Sequence, residues 1–505
     1  MNLVNKLGVF KRIANEKMLA LKSKQITIEI AELFFQHNSK TGFKRFDIIV
    51  RLLAIDNYFG KNDYGFDFYC RMQASRKSKR WVSPSVERFR SLIESYAKNG
   101  YNEKSKIILD ENLQLVDGSH RIAMAIYYQI PTITALVRSR RYDVFYGIEW
   151  FKVNGFTDKE CQILVKRFES LKKSYITPFV CTLWAPVHEY FDEITEKLRI
   201  FGETAEIRDF AYSEDEYAFY TRGIYHVDDI EKWKIEKKID YMHKSSPDCH
   251  LMRMVALYLE EPKFRLKAKT NNTLSVQCEL IKKLIREAYK DKVKNYYHDI
   301  IIHIGDNYRQ NRHIYRLFMM PPIDVMRILQ GINSRMYVLT KFETPYMPTG
   351  FPATYPLGKD IDIICSDMNE YGRVVDCLLL ELKNYDKYYC IRIVKKVDEK
   401  GKEYRTLVRL EQDGQFLVLQ FDVASKMTTN ESVSDCTSDM IKTRVEKAGF
   451  YVPQVKYEII VRFSELYNSP NKKYHLDYIK NHIDELDEQL CNRYLKFNWK
   501  KFLNK

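Results

Sequence analysis

Asp360 and Asp362 stand two residues apart in "GKDIDIIC", an otherwise apolar run that reads as a β-strand. Strand side chains alternate, so both carboxylates project from one side, about 6–7 Å apart along the chain. Two ionised carboxylates on a buried strand repel each other unless a cation lies between them. Mg2+ held by paired carboxylates and substrate phosphates relieves that repulsion. A third carboxylate is then expected on a neighbouring strand. The run "FLVLQFDV" supplies Asp422, on one face with Phe416, Val418 and Gln420.

A second group of chemistry-bearing residues is consecutive. In "LVDGSHRIAMAIYY" (115–128) a strand ends in Asp117-Gly118 and a helix opens on Ser119, His120 and Arg121. A helix N-terminus presents unpaired N–H groups and the positive end of a dipole, which favour an anion. Gly118 allows close backbone approach, Ser119 adds a hydroxyl, His120 a proton-transferring ring, and Arg121 a planar fork that fits phosphate. The same five residues also fit a structural role, with Asp117 in a turn, Ser119 as a helix cap and Arg121 in a salt bridge.

A weaker group follows the buried-looking strand "DIIIHI": Gly305, Asp306 and Asn307, then Arg309, Arg312 and His313, with Arg265, Lys267 and Lys269 upstream. Ligands gather at such strand ends in open α/β sheets, so Asp306 and Arg309 are candidates for binding a phosphorylated sugar or lipid. Helix capping by Asp306 and Asn307 is the alternative. His243, His250 and His298 show no metal-ligand spacing and read as ordinary histidines.

The elements that must position these groups follow from periodicity. Residues 43–59 are amphipathic at helical spacing, with Phe46, Ile49, Val50, Leu53 and Tyr58 on one side. Residues 83–100 read as a helix capped by Ser83 and closed by Gly100. Strands "KIILD" and "LQLVD" precede the Ser-His-Arg helix, and "PTITALV" follows it. Thr157 and Glu160 have capping-box spacing ahead of another helix. In 274–289, Val276, Leu280 and Leu284, with Ile281 and Ile285 beside them, form an apolar stripe. Four prolines within 345–356 exclude a regular element and mark a linker. Beyond it come the strand bearing Asp360, a helix over 367–383, and strands over 388–397, 404–410 and 416–423. Asp413-Gly414 turns the last pair as a hairpin. Ile479, Ile483, Leu486 and Leu490 share the stripe of a final helix.

These elements divide the chain into a unit over 1–145, a helical connector over 146–190, a central α/β region over 191–334, and a mixed sheet with helices over 335–505. The fold class expected is α/β and α+β, multidomain. At 505 residues several domains are expected. The chain is 45% hydrophobic and 30% charged, with no 18-residue apolar run, so a soluble, cytoplasmic protein is expected. Ten scattered cysteines form no CxxC or His/Cys cluster, which argues against a disulfide framework or structural zinc. The net charge of +15 suits a nucleotide or other polyanion, nucleic acid, or peripheral contact with anionic lipid. The excess is spread over "RKSKR" (76–80), 263–294 and the C-terminal end rather than forming one basic arm.

Two resemblances extend this reading. Helix 83–99, strands 106–117, "DGSHRIAMAIYY" and strand 131–137 together resemble the ParB/sulfiredoxin fold over about 55 residues. Ser119 stands where sulfiredoxins carry their nucleophilic Cys, and neither the Glu-Arg-Arg nor the helix-turn-helix of ParB partition proteins is present. "DGSHR" is most similar to the Asp-Gly-His-His-Arg of the branch containing ADP-dependent free-serine kinases. That resemblance implies nucleotide binding, with Asp117 and His120 at the reacting centre and Gly118, Ser119, His120 and Arg121 near phosphates. It also implies an acidic base from early in the chain, for which Glu29 and Glu32 are candidates. Asp-Ile-Asp-Ile with a later strand-borne Asp resembles the nucleotidyltransferase fold. There it implies Mg2+ on Asp360, Asp362 and Asp422, with Asp422 activating an acceptor hydroxyl. The family's Gly-Ser or Gly-Gly, roughly ten residues before the pair, is replaced here by Gly350 with neither residue after it.

The expected function is that of a phosphoryl- or nucleotidyl-transferring enzyme using Mg2+ and a nucleotide (ATP, ADP or CTP) on a phosphorylated or sugar-like substrate. The order of these segments is loosely similar to proteins of bacterial surface-polysaccharide synthesis. The alternatives are a ParB-type nucleic-acid-binding protein and a toxin-like nucleotidyltransferase that modifies protein or tRNA.

Overall fold

The computed structural model describes residues 24–36, 42–76, 81–100, 102, 106–139, 145–175, 177–267, 270–297, 299–427 and 432–503. Residues 77–80 of the basic run, Lys269 and His298 lie outside them. The chain is mixed α/β and forms two compact units, one of residues 1–217 with 227–315 and the other of 218–226 with 316–505.

The first unit holds two four-stranded sheets. In one, β1 (Lys24–Glu29), β2 (Ile107–Asp110), β3 (Leu115–Asp117) and β4 (Thr132–Arg138) lie in the order β1-β4-β2-β3, with only the β2–β4 pair parallel. The helix Phe46–Tyr58 is buried all round from Phe46 to Asp56 rather than along one stripe. Helices Gly65–Arg76, Ser119–Tyr127 and Asp158–Tyr175 pack on it from different sides, so its polar face is enclosed as well. Pairing of Asp47 on that face with Arg45 (2.7 Å) and Arg51 (3.0 Å) offsets part of the cost of burying its charge. Thr157 and Glu160 form the reciprocal capping box of the helix Asp158–Tyr175, at 2.8 and 3.3 Å. The helix expected to start at Ser83 starts at Val82. Its flanking residue is Trp81, and no side chain caps it.

The second sheet contains β5 (Phe179–Leu183), β6 (Gly202–Ala211), β7 (Leu251–Leu259) and β10 (Ile302–Ile304) in the antiparallel order β10-β5-β7-β6. A short hairpin of β8 (Phe264–Leu266) and β9 (Thr273–Ser275) adjoins it in sequence. In the helix Val276–Tyr289 the inward stripe is Cys278, Ile281, Ile285 and Tyr289, whereas Val276, Leu280 and Leu284 face outward. Both stripes have helical spacing. Packing against β10 selects the one that carries the large Tyr289 ring.

The second unit is built on β11 (Tyr337–Thr340), β12 (Asp360–Cys365), β13 (Cys390–Val397), β14 (Glu403–Gln412) and β15 (Phe416–Ala424), in the order β11-β12-β15-β14-β13. Only β12 and β15 run parallel. The helix Met368–Leu382 covers one face through Val374, Leu378 and Leu382 against Ile361, Ile363 and Phe421. The helix Val455–Asn468 covers the other, placing Ile459, Ile460 and Phe463 with Val338 and Ile364. Asp413 and Gly414, at φ 51° and 69°, form the β14–β15 turn. The proline-rich run expected as a linker instead joins two neighbouring strands, β11 and β12. Phe351, Met347, Tyr355 and Leu357 anchor it on the core. The expected final helix is broken into Tyr474–Asn481, a 3-10 turn at Ile483–Glu485, and Glu488–Tyr494, which Asp487 caps through Leu490 N.

Glu32, in the first unit, is 2% exposed, and burial reinforced by Glu29 pushes its carboxyl up to about 8. Thr273 Oγ1 donates to Glu32 Oε1 at 2.9 Å, while Oε2 has no partner among the described residues. The neutral carboxyl is therefore the form that fits the fold. Its stabilisation is complete below the ordinary value of 4.5 and is lost as pH rises through about 8. Glu32→Gln is expected to flatten the pH dependence of the urea midpoint between about pH 3.5 and 9 (about one unit outside those values), against a decline in the parent chain.

Candidate functional site

Three carboxylates converge on the second unit's sheet. In β12 the residues Ile361 and Ile363 turn to the helix Met368–Leu382, so alternation sends Asp360 and Asp362 to the side of Ile364. The parallel register sets Asp362 directly beside Asp422 of β15. Asp360, Asp362 and Asp422 each bring a carboxylate oxygen within 4.8 Å of the others'. Asp360 is exposed, Asp362 half-buried in its surroundings, and Asp422 only 4% exposed.

Two cations answer this concentration of negative charge, and neither was apparent from the sequence. Lys341 follows β11, where Thr340 pairs with Asp362, and its backbone is left-handed at φ 56°. Its ammonium lies 3.1 Å from Asp362 and 3.3 Å from Glu465. Arg405 sits on β14, two residues from the Leu407 that pairs with Asp422, within diagonal reach across the strands. It grips Asp422 with both ends of its fork, one bond being 2.5 Å, and lies 4.0 Å from Asp362. Among the described residues the Asp360 carboxylate has no ion pair or hydrogen bond.

Burial pushes the Asp362 carboxyl up to about 6, and repulsion from Asp360 and Asp422 adds to it, outweighing the attraction of Lys341. For Lys341 the balance is reversed. Burial pulls its ammonium down, but Asp362 and Glu465 together hold it above the ordinary lysine range. Burial is thus the main cause of the raised Asp362 carboxyl, with carboxylate repulsion adding to it. Beside it lies a small cleft of about 100 Å3, lined by Lys341, Tyr346, Lys359, Lys472, Tyr474 and His475. The Tyr346 and Tyr474 rings meet edge to face at 5.4 Å, and Lys359 Nζ lies 4.5 Å from the Tyr346 ring centre.

At the Asp117–Arg121 corner, Gly118 takes φ +108° immediately before the helix Ser119–Tyr127. A Cβ there would stand 2.6 Å from Ile107 Cγ2, so both conformation and space require glycine. Arg121 turns back on Asp117 at 3.2 Å. Ser119 Oγ accepts from Arg45 Nη2 at 2.8 Å. His120 turns inward, with Nε2 2.7 Å from the Tyr69 hydroxyl and its ring 4.4 Å from that of Phe89. Behind Ser119 stand Arg45, Arg51 and Arg76 around the single carboxylate of Asp47, with Arg76 at 3.8 Å. Against the upward push of burial, Arg45 and Arg51 hold the Asp47 carboxyl well below the usual range. Arg45 lies 74 residues before Ser119, and no local spacing signals their contact.

Asp306 is buried between Lys267 (2.6 Å) and Lys282 (2.8 Å), while Arg309 is exposed. The carboxylate and the two ammonium groups answer one another there. Glu29 holds Arg312 through two bonds of 2.9 and 2.5 Å.

No protein-family profile matches the chain. No curated protein matches it either. A crystal structure of a candidate nucleotidyltransferase from H. pylori aligns with 35% of this chain and 86% of its own, at 14% identity and a TM-score of 0.18, a superposition too loose to establish a shared fold. Among the described residues no helix is long and apolar enough to cross a membrane.

The raised Asp362 carboxyl yields a signed expectation. Its protonated form contributes stability that is complete below its ordinary 3.8 and lost as pH rises through about 6. In metal-free buffer Asp362→Asn is therefore expected to melt higher than the parent chain at pH 7.5 (above both values), with the difference shrinking towards pH 4. Thermal denaturation followed by circular dichroism at the two pH values checks it.

Proposed function

We propose that the cleft beside β12 and β15 binds a nucleotide with Mg2+ and transfers its phosphoryl or nucleotidyl group to an acceptor hydroxyl. The observation that carries this reading is the convergence of Asp360, Asp362 and Asp422 from two adjacent parallel strands, with oxygens within 4.8 Å of one another. An all-oxygen, all-carboxylate donor set fits Mg2+, which prefers hard ligands and is usually bound through one or two carboxylates plus phosphate oxygens. Repulsion from Asp360 and Asp422, which adds to burial in raising the Asp362 carboxyl, supports the same assignment. Asp360 and Asp362 would hold the ion, which when bound would neutralise charge developing on the transferred phosphorus group.

The remaining groups have distinct tasks in this reading. Arg405 is already committed to Asp422, so Asp422 joins the metal ligands only when the guanidinium turns to another anion. A nucleotide phosphate is such an anion, and the planar fork matches it. Lys341 and Lys472 line the same cleft and meet the remaining phosphate charge. The Tyr346–Tyr474 pair offers an apolar face for a base. An acceptor hydroxyl beside Asp422 would lose its proton to that carboxylate once Arg405 has moved.

Incubation of the full chain with Mg2+, each nucleoside triphosphate and a panel of sugar and polyol acceptors tests the proposal. Release of pyrophosphate marks nucleotidyl transfer, and release of nucleoside diphosphate marks phosphoryl transfer. Asp360→Asn and Asp362→Asn are each expected to lower kcat at least about a hundredfold, the scale of lost metal charge stabilisation. Mg2+ affinity is expected to fall as pH drops below about 6, where Asp362 takes up a proton. Full turnover in both variants would refute the assignment.

A further inference from the structure

Away from the acidic cleft, the first unit brings together a carboxylate and two imidazoles. Glu214 stands in the first turn of the helix Glu214–Tyr225. His243 stands in the last turn of the helix Lys232–Ser245. His250 immediately precedes β7. Each offers a ligand atom within 4.8 Å of the others'. The sequence concealed this group, since six residues separate the two histidines and Glu214 lies 29 positions before the first of them.

The local structure holds His250 and leaves its ring unsatisfied. Tyr212 N donates to the His250 carbonyl at 3.2 Å, tying the residue to the end of the β6–β7 pairing. The Tyr217 ring meets its imidazole edge-on at 5.7 Å. Nε2 of His250 is shielded from solvent and has no hydrogen-bond partner among the described residues. A buried imidazole nitrogen without a partner loses its solvation for nothing in return unless a ligand completes it. The His243 ring stacks near that of His250, with centres 6.1 Å apart and planes 20° from parallel. His243 Nδ1 lies 3.8 Å from Glu214 Oε1, too far for a hydrogen bond. Glu216, not Glu214, completes the helix cap with Ser213, at 2.9 Å to its N–H. Glu214 is therefore not consumed by the cap.

We propose that Glu214, His243 and His250 form a zinc site. Two imidazoles and one carboxylate are a donor set suited to Zn2+, whereas Mg2+ and Ca2+ select oxygen ligands. Zinc bonds of about 2.0–2.1 Å at tetrahedral angles place donors about 3.3 Å apart. The side chains therefore close by up to about 1.5 Å on binding, within reach of the exposed Glu214 and His243 side chains. With three protein ligands, the fourth position belongs to water or to a donor from a substrate. The site tethers two helix ends to the entry of β7, and it is independent of the acidic cleft in both residues and preferred metal.

Calorimetric titration of the full chain with Zn2+, in millimolar Mg2+ to occupy all-oxygen sites (a selectivity based on ligand type), tests the proposal. The parent chain is expected to bind one zinc that the double variant His243→Gln/His250→Gln lacks, with an unchanged circular dichroism spectrum. Glu214→Gln, at an exposed position with little bearing on folding, is expected to weaken binding about tenfold or more. Co2+ in place of zinc is expected to give the visible absorption of a tetrahedral N/O site, lost in the same variants. Absence of zinc binding by the parent chain overturns the proposal. So does zinc affinity unchanged in Glu214→Gln or in the folded double variant.

Discussion

Like-charge repulsion within a single strand pairing constrains the second unit more than any other interaction. Parallel pairing of β12 with β15 sets Asp362 beside Asp422, and β-alternation adds Asp360 on the same side. No apolar arrangement of neighbours could tolerate three such groups in a covered sheet. The surrounding elements respond accordingly. β11 ends so as to deliver Lys341, β14 delivers Arg405 from its diagonal position, and the helix Val455–Asn468 contributes Glu465 to fix the lysine. Burial and the two neighbouring carboxylates nonetheless keep the Asp362 carboxyl high.

The first unit uses the opposite balance at its strand-to-helix corner. There Arg45, Arg51 and Arg76 surround the lone carboxylate of Asp47, behind the N-terminus of the helix that opens on Ser119. Both arrangements sit where regular hydrogen bonding ends, beside a strand terminus or a helix start. Backbone groups there can be spared for a ligand. The two corners differ in how fully their side chains are engaged. Asp117 and Arg121 close on each other and His120 is turned to Tyr69, whereas the Asp360 carboxylate stays open to solvent.

How much of this was legible depended on the range of the interactions. Alternation in "DIDIIC" placed Asp360 and Asp362 on one side of a strand, and the capping box at Thr157 and the Asp413-Gly414 turn follow from local spacing. The cations were not legible. Lys341 and Arg405 reach the acidic group only across paired strands, 21 and 17 residues from Asp362 and Asp422, and Arg45 meets Ser119 across 74 residues. Helix faces were ambiguous for a related reason. Val276, Leu280 and Leu284 repeat as regularly as Cys278, Ile281 and Ile285, and only contact with β10 decides which stripe turns inward. The prolines of 345–356 do forbid a regular element, but composition alone did not reveal a loop fastened to the sheet by Phe351. The imidazole pair of His243 and His250 was likewise assembled by tertiary structure rather than by spacing.

Anomalous diffraction from crystals of the full chain soaked with Mn2+ and a nucleoside triphosphate examines the central claim most directly. The account predicts a manganese peak within about 2–2.4 Å of carboxylate oxygens of both Asp360 and Asp362, with Arg405 turned from Asp422 towards phosphate. A peak elsewhere, or none, with Lys341 and Arg405 still closed over Asp362 and Asp422, would contradict it.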